Sequence, residues 1–353
     1  LLDPLDIRIA WLSGNQRKKQ RETMLADIAE GCAMLAIGTH ALFQDQVEFD
    51  RLGLAIIDEQ HRFGVHQRLA LRMKGAKSGL VPHQLMMSAT PIPRTLSMTY
   101  YADLDVSVIN GLPPGRTGVV TKLVADTRRD EVVVRIREAC HGGKQAYWVC
   151  PLIEESEILQ LKTALETYET LRLTFPDLKI GLVHGRLPPQ EKSLVMKSFK
   201  HGEIQLLVAT TVIEVGVDVA NASLMVIEHA ERMGLSQLHQ LRGRVGRGTE
   251  ASICILLYQK PLSAAAQERL RIIFENTDGF EIARQDLRLR GPGEFLGARQ
   301  SGTPMLRFAN PEQDEDLLHA ARDVADELLR DYPQAANQHL QRWLGGKSEY
   351  LRV

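Results

Sequence analysis

The sequence predicts an α/β chain in which two domains built on parallel sheets are followed by a helical hairpin and a loop. Three observations carry this reading. Short apolar runs alternate with amphipathic segments twice, first up to about residue 90 and again from 128 to 257. The turn-rich stretch 111–115 (GLPPG) separates the two series. Beyond Pro261 strand signals fade, and two amphipathic segments meet around 275–279. The predicted domains are therefore 1–112, 113–260 and 261–353.

In the first domain, residues 7–12, 33–37, 54–57 and 84–87 read as buried strands of one parallel sheet. Residues 17–30 between the first two place Met24, Leu25 and Ile28 at helical spacing. Loops at the carboxyl ends of such strands are where ligands sit. Gly38-Thr39-His40, Asp58-Glu59 and Ser88-Ala89-Thr90 all fall there. In the second domain, strands are expected at 146–149, 180–183, 205–208, 224–227 and 253–257, with helices at 128–139, 157–174, 190–200 and 236–242. The hairpin helices are expected at 264–274 and 281–289, and an amphipathic terminal helix at 312–330.

Composition excludes several classes. The 353 residues carry a formal charge of -1, so any nucleic-acid contact must come from local stripes rather than a basic coat. Four cysteines without CxxC spacing argue for buried thiols and against a zinc site or disulfide framework. No apolar run reaches the roughly 18 residues of a membrane span. The start, Leu1-Leu2-Asp3-Pro4, shows neither an initiator Met nor a signal-peptide pattern, and reads as the tail of a longer protein.

Two motifs carry the chemistry. Asp58-Glu59 follows the apolar run 54–57. A carboxylate there can hold magnesium, usually through water, while its neighbour polarises the water that attacks phosphorus. About 180 residues later, 240–248 (QLRGRVGRG) sets Arg244 and Arg247 among glycines, an arrangement suited to a transferring phosphoryl group. Each has a bland counterpart, an acidic turn or a solvated Arg-Gly loop. Together they read as two halves of one nucleoside-triphosphate engine. Gln60 and His61 can report nucleotide state, and Ser88 and Thr90 can hydrogen-bond the acidic motif and move with it. At 209–218, Gly216 permits close backbone approach to phosphate, and Asp218 can meet a ribose or an arginine; a hairpin with a glycine bulge is the plain alternative. Arg284 and Arg288 share a helix face, which solvation alone explains.

The strings 58–65 (DEQHRFGV), 88–95 (SATPIPRT), 209–218 (ATTVIEVGVD) and 237–248 (QLHQLRGRVGRG) make the chain similar to the C-terminal part of the RecG family, within helicase superfamily two. Residues 286–302 (DLRLRGPGEFLGARQSG) resemble the translocation motif that this family shares with the transcription-repair coupling factor. The resemblance implies two RecA-like domains, the first truncated at its N-terminus, and an ATP- and Mg2+-dependent motor on branched double-stranded DNA. The implied substrates are stalled replication forks and Holliday junctions. It further implies a bacterial cytoplasmic, nucleoid-associated monomer, with single-stranded-DNA-binding protein as a further partner and no membrane.

Carried over by position, Asp58 holds magnesium through water, Glu59 activates water, and Gln60, His61, Ser88 and Thr90 couple hydrolysis to motion. Gly38, Thr39 and His40 belong to a DNA-contacting motif. Gln240, Gly216 and Asp218 contact nucleotide, Arg244 and Arg247 act as arginine fingers, and Arg290 and Gln300 convert domain closure into movement. The chain departs from the family in one respect: it has no GxxxxGK[ST] cradle. Gly345-Gly346-Lys347-Ser348 is no substitute, because Gln341 stands where the first glycine belongs. The resemblance places the cradle and a junction-binding wedge upstream of Leu1, so the chain alone is expected to bind ATP weakly and hydrolyse it negligibly. A coupling-factor fragment and a purely DNA- or partner-binding module are the competing readings.

Overall fold

The computed structural model describes residues 7–14, 16–59, 67, 71, 73–74, 81–88, 105–109, 111, 118–150, 157–210, 219–248, 250–290 and 315–344. Contacts divide the chain into two compact units, Leu1–Ala89 with Ala298–Val353, and Thr90–Gly297.

The first unit begins β1 (Ile9–Leu12), α1 (Lys18–Ala29), β2 (Leu35–Gly38), a 3-10 turn (His40–Phe43), β3 (Leu54–Ile57) and β4 (His83–Met86). All pairing is parallel, as the alternation predicts. The described strands nevertheless form two pairs, β1-β2 and β3-β4, where one continuous sheet was expected. Their side-chain patterns explain what each pair can bury. Ala10 and Leu12 turn inward onto Ile28, Ala41 and Val47, and Ala55 and Ile57 onto Leu71. The intervening residues Trp11, Leu54 and Ile56 face outward and are more than half exposed. Successive strand residues point to opposite faces, so each pair has one covered face and one open apolar face.

The second unit holds β5 (Val119–Ala125), α2 (Arg129–His141), β6 (Gln145–Val149), α3 (Glu157–Thr174), β7 (Ile180–Val183), α4 (Pro189–Lys200), β8 (Leu206–Ala209), β9 (Ala222–Ile227), α5 (Leu235–Arg242), β10 (Ser252–Tyr258), α6 (Ala264–Glu275) and α7 (Gly279–Arg290). Six strands form one parallel sheet in the order β5-β10-β9-β6-β8-β7. Burial on both faces is written into β6: Tyr147 and Val149 join one core, Ala146 and Trp148 the other. The first core is closed by α4, α5, α6 and α7 through Phe199, Leu238, Ile273 and Ile282. The second is closed by α2 and α3 through Ile136 and Leu171. Helices on both faces are what an all-parallel sheet requires. The hairpin helices are thus built into the core of this unit. Ser263 caps α6 by accepting from the Ala266 amide at 3.2 Å.

Two elements were not anticipated. Among the described strands β5 lies at the sheet edge and pairs only with β10, and its apolar run is interrupted by Thr121 and Lys122. After α8 (Glu315–Asp331), the helix expected to be terminal, a further helix α9 (Pro333–Leu344) follows and packs against it. Among the described residues, no helix is long and apolar enough to cross a membrane. Three of the four cysteines are buried as expected, whereas Cys32 is exposed.

Candidate active site

The acidic motif sits where the sequence places it. Ile57 ends β3 in register with Met86 of β4, so Asp58-Glu59 and Met87-Ser88 emerge side by side from adjacent parallel strands. The pairing continues one step past the strands, because the Met87 amide donates to the Ile57 carbonyl at 2.8 Å. Asp58 is exposed, and its Oδ1 accepts from the Glu59 amide at 2.8 Å. Glu59 has φ 52°, in the left-handed region that costs a side-chain-bearing residue about 1 kcal/mol or more. That turn takes the Glu59 carboxylate off the path of the strand and sets it partly buried beside an exposed Asp58.

Gly38, Thr39 and His40 follow β2. Gly38 has a packing cause of its own: a Cβ there would press into the Leu12 carbonyl oxygen on the neighbouring strand. The Thr39 amide donates to that same carbonyl at 3.3 Å. His40 opens the 3-10 turn and lies 6.2 Å, ring centre to ring centre, from Phe43.

In the second unit, α5 delivers the arginine turn. Leu235, Leu238 and Leu241 anchor the helix, and Val245 buries completely one turn later. Beside these anchors, Arg244 and Arg247 stay partly exposed, as does Gln240. Gly246 takes φ 76°, which permits the tight bend, and Arg247 Nε donates back to the Gly243 carbonyl at 3.2 Å. At Gly248 a Cβ would lie 2.5 Å from the Ala220 carbonyl oxygen, so the chain passes too close for a side chain. Burial pushes the Tyr147 hydroxyl up to about 12, while Arg244 and Arg247 both pull it back. The two guanidinium groups therefore share one electrostatic neighbourhood. Held cations beside a glycine-opened backbone fit phosphate oxygens, and paired carboxylates at a strand end fit hydrated magnesium.

Gln60, His61, Thr90, Gly216, Asp218 and Gln300 lie outside the described residues, as does the Arg290 side chain at the end of α7. Sequence reasoning passed over Arg242 and His239, which fill the space beneath the arginine turn. Arg242 follows Leu235 and Leu238 at the i, i+3, i+7 spacing of the apolar stripe, and that spacing was the available signal.

Comparison with known proteins separates the segments. Residues 1–99 match the DEAD/DEAH box helicase model and residues 130–249 the helicase conserved C-terminal domain. Residues 276–343 match the model for ATP-dependent DNA helicase RecG, domain 3, C-terminal. The chain is 56% identical to ATP-dependent DNA helicase RecG of Escherichia coli (strain K12), covering 98% of this chain and 50% of that protein. The chain belongs to the RecG family. At 49% identity, RecG of Aquifex aeolicus matches 98% of this chain and 44% of its own length. A solved structure of RecG bound to a three-way DNA junction superposes with a TM-score of 0.65 at 45% identity, over 89% of this chain and 40% of that one. The chain thus spans about half the length of the RecG relatives it matches. A DNA- and AMPPNP-bound MrfA helicase shares the fold at 17% identity and TM-score 0.57, over 77% of this chain and 40% of that one.

Proposed function

We propose that this chain is the motor portion of an ATP-dependent helicase that remodels branched double-stranded DNA, including stalled forks and Holliday junctions. The observation that carries the proposal is the position of two motifs within a RecG-family match spanning nearly the whole chain. A strained acidic pair ends β3, and an arginine turn follows α5. The domains are proposed at 1–112, 113–260 and 261–353. We place the protein in the cytoplasm at the chromosome, working as a monomer, with single-stranded-DNA-binding protein as a further partner.

Magnesium, held by Asp58 through water, would supply charge neutralisation on the triphosphate. Glu59 takes the proton as water attacks the terminal phosphorus, and the bond to the bridging oxygen breaks to release ADP and phosphate. Arg244 and Arg247 stabilise the charge that spreads over the equatorial oxygens, with Gln240, Gly216 and Asp218 fixing the nucleotide. Gln60, His61, Ser88 and Thr90 pass the change onward. Gly38, Thr39 and His40 face DNA, and Arg290 and Gln300 convert closure into movement.

The test compares the full-length protein with this chain alone. The full-length protein should hydrolyse ATP in response to forked DNA and unwind it. Glu59→Gln should cut turnover by about 10²–10⁴, and Arg247→Ala by about 10³ or more. The chain alone, lacking the lysine cradle, should show negligible turnover. Fork-stimulated hydrolysis that survives Glu59→Gln would sink the assignment.

A further inference from the structure

Arg242 ends α5 with its guanidinium in the core, only 4% exposed. From Nη1 it donates to Thr121 Oγ1 at 3.3 Å and to the carbonyls of Ile273 at 2.9 Å and Asn276 at 2.8 Å. From Nη2 it donates to His239 Nδ1 at 3.1 Å and, at 3.4 Å, to the Thr277 carbonyl. Because a guanidinium cannot accept, His239 is held neutral with its proton on Nε2. Burial and the adjacent Arg242 push that imidazole down to about 4, partly opposed by Asp278.

None of these five partners is a carboxylate. A buried cation with no carboxylate partner among the described residues is costly, and an apolar side chain of similar length would fill the slot more cheaply. The arrangement is tolerable because of what the acceptors are. Ile273 lies in the last turn of α6, where carbonyls lack intrahelical partners and the helix dipole is negative. Arg242 therefore caps α6 from a different helix and spans the connection from Ile273 to Thr277 that leads into α7. On its own chain it stands two residues before Arg244 and five before Arg247. Its carbonyl accepts from the Val245 amide at 3.3 Å, inside the arginine turn. One side chain thus fastens the start of that turn to the entrance of the hairpin's second helix.

We infer that Arg242 is a positioning residue that locks the arginine turn to the α6–α7 connection, so that displacement of one displaces the other. The inference rests on the helicase reading above and deepens it. A guanidinium is suited to the task because its planar fork fixes direction as well as distance, whereas an apolar plug would let the elements slide. Arg242 makes no proposed contact with nucleotide or DNA. Its loss should therefore damage the linkage between hydrolysis and movement more than hydrolysis itself.

The experiment uses the full-length protein with Arg242→Met, Arg242→Lys and, as a milder probe, Thr121→Val. Fork-stimulated ATP turnover and fork unwinding are measured on the same preparations, giving ATP consumed per fork opened. Hydrogen exchange is followed at amides 276–282. For Arg242→Met, turnover should stay within about threefold of the parent while ATP per fork rises about tenfold, near the upper range of coupling losses. Exchange at 276–282 should accelerate. Arg242→Lys should recover part of the ratio, and Thr121→Val should shift it slightly in the same direction. Equal losses of turnover and unwinding at a constant ratio would overturn the inference. If Arg242→Met does not fold, an unchanged ratio in both Arg242→Lys and Thr121→Val overturns it equally. A parent protein that opens forks without fork-stimulated ATP hydrolysis would refute the helicase reading first, and this inference with it.

Discussion

Arg129 Nε donates to Glu228 Oε1 at 2.8 Å, joining the first turn of α2 to the residue after β9. The same guanidinium lies 5.1 Å from the centre of the Trp148 ring. A cation at a helix N-terminus is disfavoured by the dipole, so Glu228 offsets a local cost as well as its own desolvation. Removing Arg129 should strand a carboxylate in the rim of the sheet. Arg129→Met is expected to destabilise by about 2–3 kcal/mol, less than for a fully enclosed pair because Arg129 keeps some water contact. The double variant Arg129→Met, Glu228→Gln should recover part of the loss in urea unfolding. Additive losses in the double variant would show that the pair is not coupled.

Gly248→Ala tests the close passage beside Ala220. The new methyl would meet a backbone oxygen, which cannot rotate away. A destabilisation of about 1–3 kcal/mol is expected, the usual size for overpacking. ATP turnover in the full-length protein should fall further than stability alone explains, since Arg247 adjoins the displaced residue. Unaltered turnover and melting temperature would remove this close passage from the description of the turn.

His239 gives the second unit an acid-sensitive point. Its folded pKa of about 4 lies below its ordinary 6.5, so the unfolded chain takes up the proton first as pH falls. Its contribution is intact above pH 6.5 and is lost progressively towards pH 4. The loss is at most about 3 kcal/mol. His239→Gln keeps an acceptor for Arg242 without titrating, so its stability should fall less steeply over that window. Parallel curves for parent and variant would count against the neutral-histidine description.

Thiol chemistry should single out Cys32. It is exposed, whereas Cys140, Cys150 and Cys254 are buried. Burial raises the Cys140 thiol to about 11 and Cys254 to about 12, and shifts Cys150 upward as well, with Glu228 adding to its rise. This chain, folded and treated with a disulfide reagent, should release one fast equivalent, abolished by Cys32→Ser. Rapid release of a second equivalent would mean that one of the two cores holding the buried thiols opens.

Much of the second unit was legible because buried parallel strands are written as unbroken apolar runs. Within β6 and β9, residues 146–149 and 224–227 run without a polar interruption. β5 was missed for the converse reason: Lys122 breaks its run, and an edge strand tolerates that because one of its sides lacks a neighbour. α9 escaped notice because Gln334, Asn337, Gln338 and Gln341 leave it polar on average despite its amphipathic pattern. At the site, Asp58-Glu59 was readable from position alone, but the left-handed turn at Glu59 was not, since glutamate gives no hint of it. Arg242 was overlooked because a charge beside Arg244 reads as one more surface cation. Only the acceptor-rich slot formed by residues 121 places earlier and 31 later distinguishes it, and such long-range company leaves no trace in local spacing.

The outward rows of β1 and β3 carry a practical consequence. Trp11, Leu54 and Ile56 present flat hydrocarbon to water on strands whose other side is already occupied. Prepared by itself, this polypeptide should be a sticky specimen that binds hydrophobic dyes, clumps on concentration and engages chaperones. Mild detergent or polar replacements at those three positions should quiet that behaviour and leave the six-stranded unit's folding intact.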